Sequence, residues 1–275
     1  MISEKKVIQP LLLAVLLVFP CALFAAKPVW EIGGGVGFYH APHYLGADQS
    51  ATYVVPIPYF VYRGEYFRSD SGGLMSRIYD SDRLKLRLSL GGSLPVPRGD
   101  NDAREGMPDL DLVLEVGPTL QYRIAREGDH ALYVELPVRG ALSVGGGGRY
   151  QGVLSNPRLN YRYDSDTWLV KASFGPEYAS RTYHGYFYDV EPRYATVDRP
   201  AYRADGGYIG TRSSFSAGRR FGNLFTGGFV HYFHLGSAEN EDSPLMRRSS
   251  YLSAGFALSW VFAESDGQVG SDRDE

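Results

Sequence analysis

The sequence predicts an all-β protein, specifically a transmembrane antiparallel up-and-down β-barrel of the outer-membrane type. Three observations lead to this prediction: an apolar run that stands only at the N-terminus, long segments in which apolar and polar residues alternate, and an unusual composition. The chain has 275 residues, among them 33 Gly, 21 Tyr and 14 Phe. Such a mixture suits strands and turns better than helices.

The N-terminal run extends from Val7 to Ala26 and follows two lysines. A charged start, an apolar stretch and small residues at its end are the layout of a secretory signal peptide. We therefore expect residues 1–26 to be a signal peptide that is cleaved near Ala25 or Ala26. Pro20 interrupts the run, which disfavours a retained membrane anchor.

Charge and cysteine content exclude several classes of function. Cys21 is the single cysteine and lies inside the predicted signal peptide, so the mature chain would have no disulfide and no thiolate nucleophile. The formal net charge is -3, and a chain without a basic excess is not expected to bind nucleic acid.

Period-two alternation predicts the strands in order along the chain. Each segment has one apolar and one polar face, and the apolar faces are Leu84, Leu86, Leu88, Leu90; Leu110, Leu112, Leu114, Val116; Leu132, Val134, Leu136, Val138; Trp168, Val170, Ala172, Phe174; and Leu252, Ala254, Phe256, Leu258, Trp260, Phe262. No comparable amphipathic helix is visible.

A soluble β-sandwich would also alternate, so length decides between the two folds. The alternating runs extend over about 9 to 14 residues, whereas about five or six are usual in soluble sheets and 9 to 11 cross a bilayer. Aromatic residues cluster where strands meet loops, as membrane-interface residues do. They are Tyr59, Tyr62 and Tyr66, then Tyr161, Tyr163 and Trp168.

Bacterial barrels have an even number of strands, with short periplasmic turns and long outer loops. Splitting the segment before Asp80 at Ser71-Gly72-Gly73, into Glu65 to Asp70 and Leu74 to Tyr79, gives twelve strands. Ten is the alternative if the short pair is a loop. The predicted long loops are 93–109, 145–152, 179–206 and 236–248; the short turns are 126–129, 164–166 and 220–222.

The sequence gives little evidence for a phosphate-binding or metal-binding site. The glycine-rich string Gly33 to Gly37 lacks the following helix that a phosphate-binding turn requires, so we interpret it as a closely packed strand. His40, His43 and Asp48 could ligate a metal, but they lack a second carboxylate. We therefore predict no metal and no cofactor.

The strongest enzymatic candidate groups His231, His234 and Ser237, followed by Glu239, Glu241 and Asp242. Some outer-membrane lipid hydrolases place Ser, His and a carboxylate on the outer wall. His234 and Ser237 differ in strand parity, however, so they would face opposite ways unless Gly236 bulges. His231 has the right parity but lies about 20 Å away along a strand. We therefore predict no catalytic residues and no enzyme.

Six short blocks stand out along the chain. They are Pro42-His43-Tyr44-Leu45-Gly46-Ala47-Asp48, Pro56-Ile57-Pro58-Tyr59, Tyr62-Arg63-Gly64, the stretch from Ala103 to Asp111, Gly117-Pro118 and Asp242-Ser243-Pro244-Leu245. In kind and in order these blocks resemble those of the MipA/OmpV family, the MltA-interacting protein family of Gram-negative outer-membrane proteins. The first block resembles the family signature Pro-x-Tyr-x-Gly-Ser-Asp, with Ala47 in place of Ser.

The resemblance implies a scaffold or adaptor for peptidoglycan (murein) remodelling, which holds a lytic transglycosylase and a murein synthase at the outer membrane. A passive pore and a surface adhesin are the alternatives, and a lipid hydrolase using His234 and Ser237 is a more distant one. Residues as large as Arg87, Glu115, Tyr133, Glu135 and Arg139 face the predicted lumen of a narrow barrel and favour a closed one.

The expected organisation is therefore a signal peptide at 1–26, an outer-membrane barrel at 27–262 and an acidic periplasmic tail at 263–275. The expected partners are outer-membrane lipid and the two murein enzymes. Family barrels end on an aromatic residue, so Phe262 would have to be recognised internally.

Overall fold

A computed structural model describes residues 27–63, 68–70, 73–75, 77–96, 101–145, 148–165, 167–266 and 268–269. The predicted signal peptide and the last residues of the predicted tail lie outside this part of the chain. Within it, no helix has the length and hydropathy needed to span a membrane.

The described residues form antiparallel strands, one short α-helix and two 3-10 turns, Asp102–Arg104 and Pro192–Tyr194. The strands are β1 Lys27–Pro28, β2 Trp30–Pro42, β3 Ser50–Arg63, β4 Arg68–Asp70, β5 Gly73–Met75, β6 Arg77–Asp80, β7 Leu84–Ser93, β8 Val113–Glu127, β9 His130–Ser143, β10 Arg149–Ser155, β11 Arg158–Asp164, β12 Trp168–Ala179, β13 Gly207–Phe221, β14 Leu224–His234, β15 Ser250–Glu264 and β16 Gln268–Val269. The helix, α1, is Arg181–Tyr188.

One large sheet runs in the order β5, β4, β3, β2, β15, β14, β13, β12, β10, β9, β8, β7, β6. β11 continues β10 and lies, like β10, between β9 and β12. The two end strands, β5 and β6, are separated in the chain by residue 76 alone, and β5 lies beside β7. The sheet therefore returns upon itself, which confirms the antiparallel barrel predicted from the alternation.

The outer wall carries the apolar face of every long strand. Exposed side chains on this wall include Leu90, Leu114, Val138, Phe174 and Phe262. In water these exposed apolar side chains would be unfavourable, but in a bilayer they contact lipid. Leu, Val and aromatic residues at every second position are thus explained by the membrane around the barrel.

The inner wall divides into a charged part and an aromatic part. Strands β7 to β13 contribute ion pairs such as Arg158 with Glu135, 2.5 Å apart. Strands β14, β15, β2 and β3 contribute rings that touch across the sheet; Phe233 stacks on Tyr251 with ring centroids 4.6 Å apart. Glycine at 255 makes room for one of these rings, since a Cβ there would lie 2.5 Å from Phe229.

The structure corrects four details of the sequence interpretation. Leu110 and Leu112 do not belong to the apolar face of a strand, because β8 begins only at Val113 and Leu110 is buried in the connecting segment before it.

The other three details concern a loop, an aromatic residue and a helix. The loop expected at 145–152 is shorter, because β10 already begins at Arg149. Tyr59 does not belong to an outer aromatic belt; its hydroxyl donates to Glu31 Oε2 inside the barrel, 2.9 Å away. The segment 179–206 contains α1, a helix that the alternation did not predict.

The predicted split near residue 72 agrees with the pairing of β4 and β5 as antiparallel neighbours. The turn itself, 71–72, lies outside the described residues, as do 64–67 and 76. Twelve strands therefore stays a prediction.

Candidate functional site

Four connecting segments meet over one mouth of the barrel. They comprise 42–49, 94–96 with 101–112, 180–206 and 235–249, and we call them the cap. The chain ends of the barrel lie at the opposite mouth, where the N–H of Val29 donates to Ser265 Oγ at 2.7 Å. Long loops are extracellular and short turns periplasmic in such barrels, and the orientation proposed below follows from this rule.

Helix α1 fills part of the capped mouth. Its aromatic residues Tyr183, Phe187 and Tyr188 are buried. The helix begins against the inner wall at Gly152, where a Cβ would lie 2.3 Å from Ser180 Oγ. Gly152 also has φ +105°, so glycine there permits both the bend of the strand and the approach of the helix.

Tyr183 ties the cap to the charged inner wall. Its hydroxyl donates to Glu115 Oε1 at 3.1 Å, and the other carboxylate oxygen lies 3.9 Å from Arg139 Nη1. Arg139 Nε in turn donates to Ser89 Oγ at 2.9 Å. All four side chains are buried, so this chain of polar contacts joins α1 to the barrel wall inside the protein.

Tyrosine hydroxyls join the cap segments to one another through backbone carbonyls. Tyr44 donates to Leu245 O and Tyr188 donates to Leu45 O, each at 3.0 Å. Burial raises the pKa of Tyr44 to about 12, and burial likewise raises the pKa of Tyr188. Both hydroxyls therefore stay protonated at neutral pH and remain donors.

Two buried arginines connect the second segment to the third. Arg104 Nη1 donates to Phe187 O, and Arg199 Nη1 donates to Ala103 O, each at 2.9 Å. Burial lowers the pKa of Arg104, yet an arginine remains charged in proteins. Several carbonyl acceptors around each guanidinium offset the desolvation of the charge.

His184 and Asn240 close the contact between the third and fourth segments. His184 Nδ1 lies 2.5 Å from Asp205 O, and Asn240 Nδ2 donates to the same carbonyl at 2.9 Å. Burial lowers the pKa of His184. The imidazole is therefore neutral at pH 7 and functions as a structural hydrogen-bonding group.

The opposite mouth has its own ion pair. Arg220 Nη1 donates to both oxygens of Glu31, at 2.9 and 3.0 Å, and Arg220 also lies 3.9 Å from Glu264. The Glu31 side chain is fully buried. Charge pairs therefore brace this end as well as the middle of the barrel.

The structure separates the residues of the hydrolase hypothesis. His231 lies inside the barrel, where its Nδ1 is 2.8 Å from Ser214 Oγ. His234 ends β14 on the outer wall, and Ser237 follows in a turn with φ +62°. Ser237 donates its backbone N–H to Glu241 Oε2 at 2.9 Å; within the described residues, no hydrogen bond joins its hydroxyl to either histidine.

The three candidate metal ligands each have another neighbour. His40 Nδ1 lies 2.9 Å from Thr52 Oγ1, His43 Nδ1 lies 3.2 Å from Asn101 Nδ2, and Arg247 donates to Asp48 at 3.3 Å. Among the described residues, no three His, Cys, Asp or Glu side chains are grouped as a metal site.

A family model described as MltA-interacting protein MipA matches residues 34–262 of this chain. The chain belongs to this MipA family. Membership confirms the resemblance inferred from the short sequence blocks. Three of those blocks, beginning at Pro42, Ala103 and Asp242, converge in the cap, although they are far apart in the sequence.

Solved barrels resemble this member of the MipA family at low identity. An outer-membrane channel from Pseudomonas putida F1 is 14% identical over 89% of this chain and 100% of its own, with TM-score 0.49. The NanC porin is 9% identical over 83% and 98%, with TM-score 0.39. The Ralstonia pickettii toluene transporter TbuX is 10% identical over 88% and 70%, with TM-score 0.25. No curated protein matches the chain.

Proposed function

We propose that this chain is a closed outer-membrane barrel that serves as a non-enzymatic scaffold for murein-remodelling enzymes on its periplasmic side. The observation that carries the proposal is the attachment of the cap to the barrel, in which Tyr183 on α1 donates to Glu115 of the inner wall. A barrel sealed in this way anchors partners in the membrane without conducting solutes. The family description, MltA-interacting protein, supports a lytic transglycosylase as one partner, and a murein synthase would be the second.

The periplasmic surface offers acidic residues for such a partner. Glu127 and Asp129 are exposed at the short turn between β8 and β9, and Glu264 and Asp266 are exposed beyond the last long strand. In this proposal the mature chain begins after residue 26, the barrel extends to 262 and the tail 263–275 adds to the acidic periplasmic surface. Charge at the rim of an interface mainly determines the association rate and the choice of partner.

Capture of a purified lytic transglycosylase by the folded barrel tests the scaffold. We expect capture above that by an unrelated barrel, and we expect Glu127→Lys combined with Asp129→Lys to weaken it by about tenfold through lost charge complementarity. The matched control reverses two exposed carboxylates on the cap, Glu105→Lys with Glu191→Lys, and should bind normally. Equal capture by the unrelated barrel would defeat the proposal.

A further inference from the structure

Arg219 occupies an unusual place on the outer wall of the barrel. In the register of the sheet it lies opposite Trp168 on one neighbouring strand and opposite Thr226 on the other. The next residue, Arg220, faces inward to Glu31. Alternation along the strand therefore directs Arg219 toward the membrane. A guanidinium in contact with lipid is costly unless an anion or another polar group satisfies it.

Two aromatic rings hold the guanidinium of Arg219. Its Cζ lies 5.1 Å from the centroid of Trp168 and 4.6 Å from that of Phe221. Both rings are themselves exposed on the wall, Trp168 by 40% and Phe221 by 50%. Aromatic contacts to the face of a guanidinium leave its terminal Nη–H groups available in the plane, where they match phosphate geometry.

No protein anion satisfies this guanidinium within the described residues. Its Nε is buried without a hydrogen-bond partner, and the ion pairs formed by those residues do not involve it. By contrast, Arg212 and Arg220 on the same strand are paired with Glu177 and Glu31. Arg219 thus differs from the lumen-facing arginines both in direction and in lacking a carboxylate.

The depth of Arg219 in the membrane identifies the missing anion. Trp168 begins β12 just after a short turn, and Phe221 ends β13 just before another. Short turns are periplasmic, and aromatic girdles lie at the level of the lipid headgroups. We propose that Arg219, held between Trp168 and Phe221, binds the phosphate of a phospholipid in the periplasmic leaflet.

The site predicts a specific effect of charge removal. We would titrate phosphatidylglycerol into the folded, delipidated full-length mature barrel in detergent and count bound lipids by native mass spectrometry. Arg219→Gln should weaken the tightest binding step by about tenfold, the scale of one charge-assisted hydrogen bond. Arg219→Lys should keep part of the affinity, because it retains charge without the planar fork.

Matched variants distinguish a built site from general attraction at the rim. Arg126, exposed near another short turn, supplies the control: Arg126→Gln should leave the tightest step unchanged. Trp168→Leu preserves an apolar wall but removes one ring, and should weaken binding severalfold. This second variant tests the site even if Arg219→Gln does not fold, which heat-modifiable migration in gel electrophoresis would reveal.

Two results would overturn the assignment. One is a similar loss of affinity in Arg126→Gln and Arg219→Gln, which would indicate rim charge alone. The other is displacement of the lipid by millimolar inorganic phosphate, which would indicate a site for a free anion. Retention of lipid under phosphate, together with loss in Arg219→Gln, supports a phospholipid site.

Discussion

At the scale of single residues, Gly46 shows why one block of the family pattern requires glycine. Its φ is +87°, and a Cβ there would lie 2.0 Å from Met246 Sδ. Its carbonyl accepts the N–H groups of Arg247 and Arg248, at 2.7 and 3.0 Å. The residue therefore combines a left-handed backbone, a close contact and a double acceptor in the middle of the cap.

Gly46→Ala should destabilise the cap by about 1–3 kcal/mol, because it adds a clash to an unfavourable backbone conformation. Hydrogen exchange of the amides in 235–249 would measure the loss. Gly106→Ala is the matched control, since Gly106 has φ +78° with nothing near its Cβ position. The Gly106→Ala variant has the backbone strain without a clash, so it should lose about 1 kcal/mol of stability. Equal rates of amide exchange in the two variants would contradict the contact with Met246.

His184 should make the cap sensitive to acid. Burial lowers its pKa below the ordinary value of 6.5, so the unfolded segment takes up a proton more readily than the folded cap. The stabilisation is therefore complete above pH 6.5 and is lost as the pH falls through the lowered pKa. Hydrogen exchange of α1, corrected for the intrinsic rate, should increase between pH 7 and pH 5.

The control for this prediction is His184→Asn, which cannot be protonated in that range. Asp189, Asp205 and Glu239 also lie in the cap segments and are unchanged in the variant. We expect most of the pH dependence to disappear. An unchanged dependence in His184→Asn would contradict the role of His184.

At the scale of elements, the strands were predictable and the cap was not. Alternation is a local signal, so Leu84 to Leu90 fixes both a strand and the direction of its side chains. Helix α1 has only eight residues and includes Gly185, so its own propensity is low. It depends on contacts with Gly152 and Glu115, which are distant in sequence and leave no periodic pattern.

The sequence interpretation was wrong about the face on which Tyr59 lies. Tyr59 has the residue type of a membrane girdle, but its side chain lies on the inner face and donates to Glu31. Arg219 shows the opposite case, a charged residue on the lipid-facing side for which the sequence made no prediction. Residue type alone cannot distinguish the two faces where alternation is broken by glycine and proline, as it is in β2 and β3.

Tyr183→Phe should loosen α1 from the inner wall. The change removes the hydrogen bond to Glu115 and leaves a buried carboxylate with one partner fewer, which costs about 1–3 kcal/mol. We expect brief conductance events in planar bilayers that the unchanged protein lacks. Tyr232→Phe, on the exposed outer wall, removes a hydroxyl outside the cap and should give no conductance events. Equal conductance of both variants would contradict the role of the hydrogen bond between Tyr183 and Glu115.

At the scale of the whole molecule, the two ends of the barrel differ. At the capped mouth, loops join one another through Tyr44, Tyr188 and Arg104. At the opposite mouth, Arg220 pairs with Glu31, while short turns with acidic residues remain exposed. The proposed function places the capped end outside and the exposed turns in the compartment where murein lies.

Single-channel conductance of the purified mature barrel in planar bilayers tests the closed lumen most directly. The unchanged protein should give no stable conductance steps, because the cap fills the mouth. Replacing residues 181–205 by a short Gly-Ser linker serves as the positive control, and this variant should conduct through the emptied mouth. Large, stable steps from the unchanged protein would contradict the sealed barrel and favour a passive pore.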